Sequence, residues 1–179
     1  HVFDALVDEK YGVVKSLDEV NAIGHRVLHG GDKLTASTII DENVKAKVRE
    51  FIKFGPLHNP ANLMGIEACE SLVPGKKNVA VFDTAFHQTM PARTFMYAIP
   101  YEYYEDYRLR KFGFHGTSHR YVTLRTAELL DTAKENLNII TVHLGNGSSI
   151  AAIKNGECYD TTMGLTPLEG LLMGTRSGD

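Results

Sequence analysis

The chain has little cysteine, no surplus of one charge and no long apolar run. Its two cysteines, Cys69 and Cys158, stand far apart among 179 residues and form no CxxC pair. That spacing suits neither a zinc ribbon nor a disulfide framework. The expected compartment is a reducing cytoplasm. A formal charge of −3 leaves no basic surplus, so nucleic acid is not an expected partner. No apolar stretch approaches the ~18 residues that read as a membrane span, and no signal peptide opens the sequence. Several catalytic signatures are also missing: a GxxxxGKS/T phosphate loop, a complete GxGxxG, a GxSxG elbow and an HExxH pair. P-loop kinases, dinucleotide-binding folds and serine hydrolases of the elbow type are thereby set aside.

What is present is an ordinary globular balance, with 43% apolar and 23% charged residues. The length suits one or two domains with a real core. The chain begins at His1 without a methionine and stops at Asp179 just after a glycine-rich arginine string, so both ends read as cut. Apolar runs at Ala22-Ile23 and Val79–Phe82, each followed by polar residues, predict buried strands whose carboxyl ends carry chemistry. Residues 43–54 predict a helix with Val44, Val48, Phe51 and Ile52 on one face. Asn59-Pro60 predicts a helix start, capped by the asparagine, which Leu63, Ile66 and Val73 continue. Another helix is expected after Thr117-Ser118, with Val122, Leu129 and Leu130 on its inner side. Residues 137–162 predict three strands, with Gly145-Asn146-Gly147 and Asn155-Gly156 as turns. Thr166-Pro167-Leu168-Glu169 has the form of a capping box and predicts one more helix. Such blocks indicate α/β or mixed α+β architecture, with a junction expected near residues 84–95.

Seven of the eight histidines lie in five short strings rich in phosphate-handling residues. These are Gly24–Gly31, Pro56–Pro60, Phe82–Gln88, Gly113–His119 and His143–Ser149; a sixth string, Gly174–Gly178, closes the chain. Glycine lets a backbone approach a ligand, and arginine carries a fixed charge with a donor fork. Arg26 and Arg176, each beside glycines, are what neutralising a transferring phosphoryl group requires. Asp83 ends a predicted strand and is a turn residue, an N-cap or a Mg²⁺ contact, direct or through water. His115 and His119 are four apart and allow two readings. Either they bind a metal from one helix face, or His115 lies in the turn before the helix and points into a site. In the second case the free N–H groups after Gly116 hold an anion. The Gly145–Ser149 turn exposes consecutive N–H groups that can cradle phosphate. It is equally a plain hairpin turn.

Read in order, these strings resemble the acetate kinase family. The carriers are His25-Arg26-Val27-Leu28-His29-Gly30-Gly31, Pro56-Leu57-His58-Asn59-Pro60, Phe82-Asp83-Thr84-Ala85-Phe86-His87, Phe112–His119, His143–Ser149 and Thr166-Pro167-Leu168-Glu169-Gly170 through Gly174–Gly178. The resemblance implies an α/β protein with mixed sheets, of ribonuclease-H-like, actin-like ATPase fold. Residues 1–85 would end an N-terminal domain on the acyl side. Residues 86–179 would begin a C-terminal domain on the nucleotide and dimer side. The implied reaction transfers a phosphoryl group from ATP to acetate, giving acetyl phosphate and ADP, with Mg²⁺ as cofactor. Arg26, His58, Asp83, His115 and Arg176 would be catalytic. Leu28, Leu57, Phe114 and Pro167 would join Arg26 in binding the acyl substrate. His143, Asn146 and Gly147 would contact the nucleotide, and no metal ligand beyond an indirect Asp83 is implied. A cytoplasmic homodimer is expected of the full-length protein.

Position 28 is leucine where the family often has valine. The extra methylene would narrow the pocket and favour acetate over propionate by ~1–3 kcal/mol. The family's Asn-Ala-Gly-Ser-Ser-Ser loop and Gly-Ile-Gly-Glu-Asn loop are missing from these residues. The chain therefore reads as the middle of the enzyme and, alone, as inactive. Other readings remain open at this stage: a propionate kinase of the same family, a metal-dependent hydrolase using His115, His119 and His87, and a non-catalytic folding or dimerisation fragment.

Overall fold

In the computed structural model, which describes residues 1–179, the elements run α1 (Val2–Leu6), β1 (Ala22–Val27), β2 (Thr38–Ile39), α2 (Glu42–Glu50), α3 (Asn59–Leu72) and β3 (Lys77–Phe82). They continue as α4 (Ala92–Phe95), α5 (Tyr101–Tyr107), α6 (Gly116–Leu129), β4 (Asn138–Leu144), β5 (Ser148–Lys154) and β6 (Glu157–Thr161). The two early apolar runs are strands, as expected. They pair in parallel, with Arg26 level with Val81, and β2 adds antiparallel on the far side of β3. Parallel pairing needs a long crossover, which α2 and α3 provide. Val27, Ala80 and Phe82 from the sheet meet Val44 and Val48 of α2 and Leu63 and Ile66 of α3. Each such burial contributes roughly 1.5–3 kcal/mol.

The expected helix over 43–54 divides in two. Asp41 caps α2 by accepting from the Val44 N–H at 2.7 Å. Beyond Glu50 the chain tightens into a 3₁₀ turn, Phe51–Phe54. That turn eclipses side chains three apart, so Phe51 and Phe54 both bury their rings beside Phe112 and His29. Asn59 does not cap α3. It is fully buried within the first turn, and its side chain accepts from His29 N–H and donates to the carbonyls of His29 and Val48, each at 3.1 Å. It ties the exit of β1 to α2.

The second sheet is an antiparallel meander, β4-β5-β6. Asn155 and Gly156 both take positive φ, 54° and 75°, as a two-residue hairpin turn demands. Ala151 and Ile153 pack inward with Met90 and Cys158. The opposite face of β4 presents Ile140, Val142 and Leu144 outward, with Ile140 72% and Leu144 74% exposed.

Three further expectations fail. The inner face of α6 is Gly116, His119, Thr123 and Ala127, whereas Val122, Leu129 and Leu130 are exposed. Its buried polar groups are bonded instead: Thr123 donates to the His119 carbonyl at 2.8 Å. Thr117 and Ser118 lie inside the first turn, and the residue before the helix is His115. No helix starts at Thr166. The Glu169 carboxylate, which a capping box would turn back to Thr166, accepts from Leu165 N–H and the Tyr97 hydroxyl, and Gly170 leaves at φ 102°.

Candidate active site

Arg26 and Asp83 leave the carboxyl ends of adjacent parallel strands. Arg26 Nη2 donates to Asp83 Oδ2 at 2.7 Å and Nε to Oδ1 at 3.3 Å. The His115 N–H donates to the same Oδ2 at 2.8 Å. Asp83 is buried while the Arg26 side chain is about half exposed. A paired fork of this kind fixes the plane of the guanidinium. Its remaining donors face outward.

The segment into α6 is bent by left-handed residues. Gly113 has φ 73° and His115 φ 58°. A side chain at 113 would sit 2.8 Å from the His87 ring. A non-glycine residue such as His115 in that region is uncommon and persists where its surroundings fix it. Here its ring stacks on His143, centroids 4.0 Å apart, and its Nδ1 lies 2.8 Å from Ser149 Oγ. His143 Nδ1 is bonded to Ser118 Oγ at 2.9 Å. Burial, then His143, then Arg26 and Arg176 push His115 down to about 4, so its ring is neutral near pH 7.

Arg176 is held from the other side. Its Nε donates to the Pro167 carbonyl at 2.8 Å and its Nη1 to Thr175 Oγ1 at 2.9 Å. Thr175 in turn donates to the Asn146 carbonyl at 3.1 Å. A Cβ built on Gly147 would lie 3.0 Å from His115 Nε2 and 3.1 Å from Arg176 Nη2. The glycine lets the turn come up against both donors.

These groups surround one cavity of about 340 Å³. Arg26, Asp83, His115, Arg176 and His58 supply its polar wall, and Leu28, Leu57, Phe114 and Pro167 its apolar wall. His143, Asn146 and Gly147 do not line this cavity but adjoin it: His143 stacks on His115, the Asn146 carbonyl accepts from Thr175, and Gly147 abuts His115 Nε2 and Arg176 Nη2. His58 is exposed at the mouth. Leu28 and Phe114 are buried with Met163 and Met173, whereas Leu57 is 85% exposed. One open end and one apolar end suit a small carboxylate whose charged head meets cations.

The profile of the Acetokinase family matches residues 1–179. The chain belongs to the acetokinase family. It is 87% identical over 179 residues to an acetate kinase of Finegoldia magna, all of this chain and 45% of that protein. A crystal structure of Porphyromonas gingivalis acetate kinase superposes with a TM-score of 0.94 at 54% identity, covering 99% of this chain and 45% of that one. A propionate kinase from Francisella tularensis superposes with a TM-score of 0.92 at 48% identity, covering 99% and 44%. The chain spans about half the length of the relatives it matches. The fold is mixed α/β of the actin-like ATPase kind, as expected.

Within this acetokinase segment the residues do not form a metal centre. No three His, Cys, Asp or Glu groups converge. Asp83, the carboxylate at the cavity, already accepts from Arg26 at both oxygens and from His115 N–H. The hydrolase reading fails on the same ground. Both ring nitrogens of His119 are bonded, to Thr141 and Ser149, and those of His87 to Cys158 and the Phe114 carbonyl. Burial first holds His87 to about 4 and His119 to about 3. His25 pairs with Asn78, and His29 stacks among Phe51, Phe112 and Phe114. None of these four acetokinase histidines lines the cavity. Phe54, Gly55, Thr166 and Leu168 also line the cavity; Phe54 and Gly55 carried no polar or motif signal, and Thr166 and Leu168 were read as a helix start.

Proposed function

We propose that this chain carries the acyl- and phosphoryl-binding part of an acetate kinase: ATP and acetate give ADP and acetyl phosphate by direct in-line transfer. The observation that supports it most is the convergence of Arg26, Arg176 and His115 on a cavity whose other wall is Leu28, Leu57, Phe114 and Pro167. An acetate oxygen attacks the γ-phosphorus as the bond to the ADP oxygen breaks. Negative charge spreads over the equatorial oxygens, and catalysis is positioning plus neutralisation. Arg26, oriented by Asp83, meets the carboxylate and the transferring group. Arg176 and His115 Nε2 meet the phosphoryl oxygens. His58 stands at the open mouth. His143, Asn146 and Gly147 meet the nucleotide phosphates. The apolar wall takes the methyl group.

Mg²⁺ belongs to this reading as the partner of ATP. It would come with the nucleotide's phosphates, with Asp83 touching it at most through water. Residues 1–85 and 86–179 are read as parts of two ribonuclease-H-like domains, and the full-length protein as a cytoplasmic homodimer. Propionate is the second acyl candidate, since a propionate kinase shares the fold. Leu28, which fills the apolar end, favours acetate.

The test uses a protein of the relatives' full length carrying these residues. Arg26→Ala and Arg176→Ala should each lower kcat about 10²–10³-fold, as for other preorganised donors, with little change in KM for ATP. Contacts made only in the transition state behave that way. Near-wild-type acetyl phosphate formation in either variant, read by the hydroxamate assay, would overturn the assignment.

A further inference from the structure

Ser149 is fully buried at the start of β5, and its one hydroxyl touches two imidazoles. Oγ lies 2.8 Å from His115 Nδ1 and 2.8 Å from His119 Nε2. The other nitrogen of His119 lies 2.8 Å from Thr141 Oγ1. The contacts form a line, Thr141–His119–Ser149–His115, that ends at a ring lining the cavity.

A hydroxyl has one proton to give. Ser149 therefore donates to one imidazole and accepts from the other, and the far end of the line sets which. Two acceptors are within reach of the Thr141 hydroxyl: His119 Nδ1 at 2.8 Å and the Ala151 carbonyl at 3.5 Å. The first is an ordinary hydroxyl bond, and the second lies beyond the usual range. If the Thr141 proton goes to the nearer of these acceptors, His119 Nδ1 accepts, His119 carries its own proton on Nε2 and gives it to Ser149, and Ser149 donates to His115 Nδ1. A neutral imidazole that accepts at Nδ1 carries its proton at Nε2.

We propose that Ser149 is a positioning residue that holds His115 as the Nε2–H tautomer, its single donor aimed into the cavity. The role of that donor rests on the kinase reading; the tautomer does not. With the line reversed, His115 would turn a lone pair toward the transferring anion and repel it. Stacked His143 fixes the face of the ring and Ser149 fixes its edge, so the donor is set before substrate arrives.

Two readouts test this in a full-length protein. The first is two-bond ¹H–¹⁵N spectra of ¹⁵N-histidine-labelled protein at pH 7. His115 should appear as the Nε2–H tautomer, and as a mixture in Ser149→Ala. There His119, which loses the same partner, shifts with it, while His25, His29 and His58, which do not touch the line, stay unmoved. Thr141→Val, which keeps shape and removes the far donor, should also lose the preference. It serves as the second variant if Ser149→Ala does not fold. An Nδ1–H tautomer in the unaltered protein, or an unchanged tautomer in the variant that folds, would overturn the proposal. The second readout is kinetic. Ser149→Ala should lower kcat roughly 10–100-fold with KM for acetate and ATP within about threefold, and Ser149→Thr should restore most of it. A protein with no acetate kinase turnover would fail the functional reading while the spectra still decide the tautomer.

Discussion

The Asp83 side chain has two tasks: it orients Arg26 and accepts from the His115 N–H, while its backbone carbonyl accepts from the Gly116 N–H at 2.9 Å. Asp83→Ala should therefore weaken both catalysis and folding. It leaves the half-buried His115 N–H without this acceptor, at about 1–3 kcal/mol, which a lowered denaturation midpoint would register. The kcat of a full-length variant should fall at least as far as that of Arg26→Ala; a smaller fall would show that Arg26 needs no partner. Leu28 is the residue that sets acyl size. Leu28→Val in the full-length protein should shift kcat/KM toward propionate by roughly tenfold, the worth of a methylene, and Leu28→Ala further. Leu28→Ala should also cost about 2–5 kcal/mol, since the residue is buried against Phe114 and the methionines. An unchanged preference in both variants would place the acyl end elsewhere.

At the scale of elements, the turn into α6 does most to shape the site. Gly113 cannot carry a side chain without striking the His87 ring, and its φ is positive. Gly113→Ala should cost about 1–3 kcal/mol and also lower kcat, because the same turn aims His115. A Tm equal to that of the unaltered protein would mean the turn relaxes freely. This element also shows what the residue order could convey. Strands β1 and β3, the meander and its Asn155-Gly156 turn were legible because period and turn chemistry are local. The arginines and His115 were legible from their glycine-flanked strings. The inner face of α6 was not. Apolar spacing favoured Val122, Leu129 and Leu130, yet the buried face is polar and small, and its bonds run to Thr141 on β4 and Ser149 on β5, further along the chain. Asn59 misled for the same reason: a local capping pattern lost to partners just past β1 and on α2. At Thr166 the glutamate of an apparent capping box was already engaged by Tyr97.

Across the whole molecule, buried neutral histidines make stability depend on pH. His29 and His87 are pushed by burial to about 4, and His119 to about 3, from an ordinary 6.5. The unfolded chain binds protons near pH 6.5, whereas these rings in the folded chain do not until near pH 4. Their contribution is full above pH 6.5 and is lost as pH falls toward 4. Near pH 5 unfolding should take up about three protons from this set, and denaturant midpoints should drop steadily below pH 6.5. A flat profile from pH 7 to 5 would mean that water reaches the rings. The outward strip of Ile140, Val142 and Leu144 bears on handling rather than chemistry. It lies on β4, which is also an edge strand with an unpaired row of backbone groups. An apolar edge of that kind templates strand-to-strand association. Solutions of the 179-residue chain should grow turbid with concentration, and light scattering should fall when Val142→Lys places a charge in the middle of the strip.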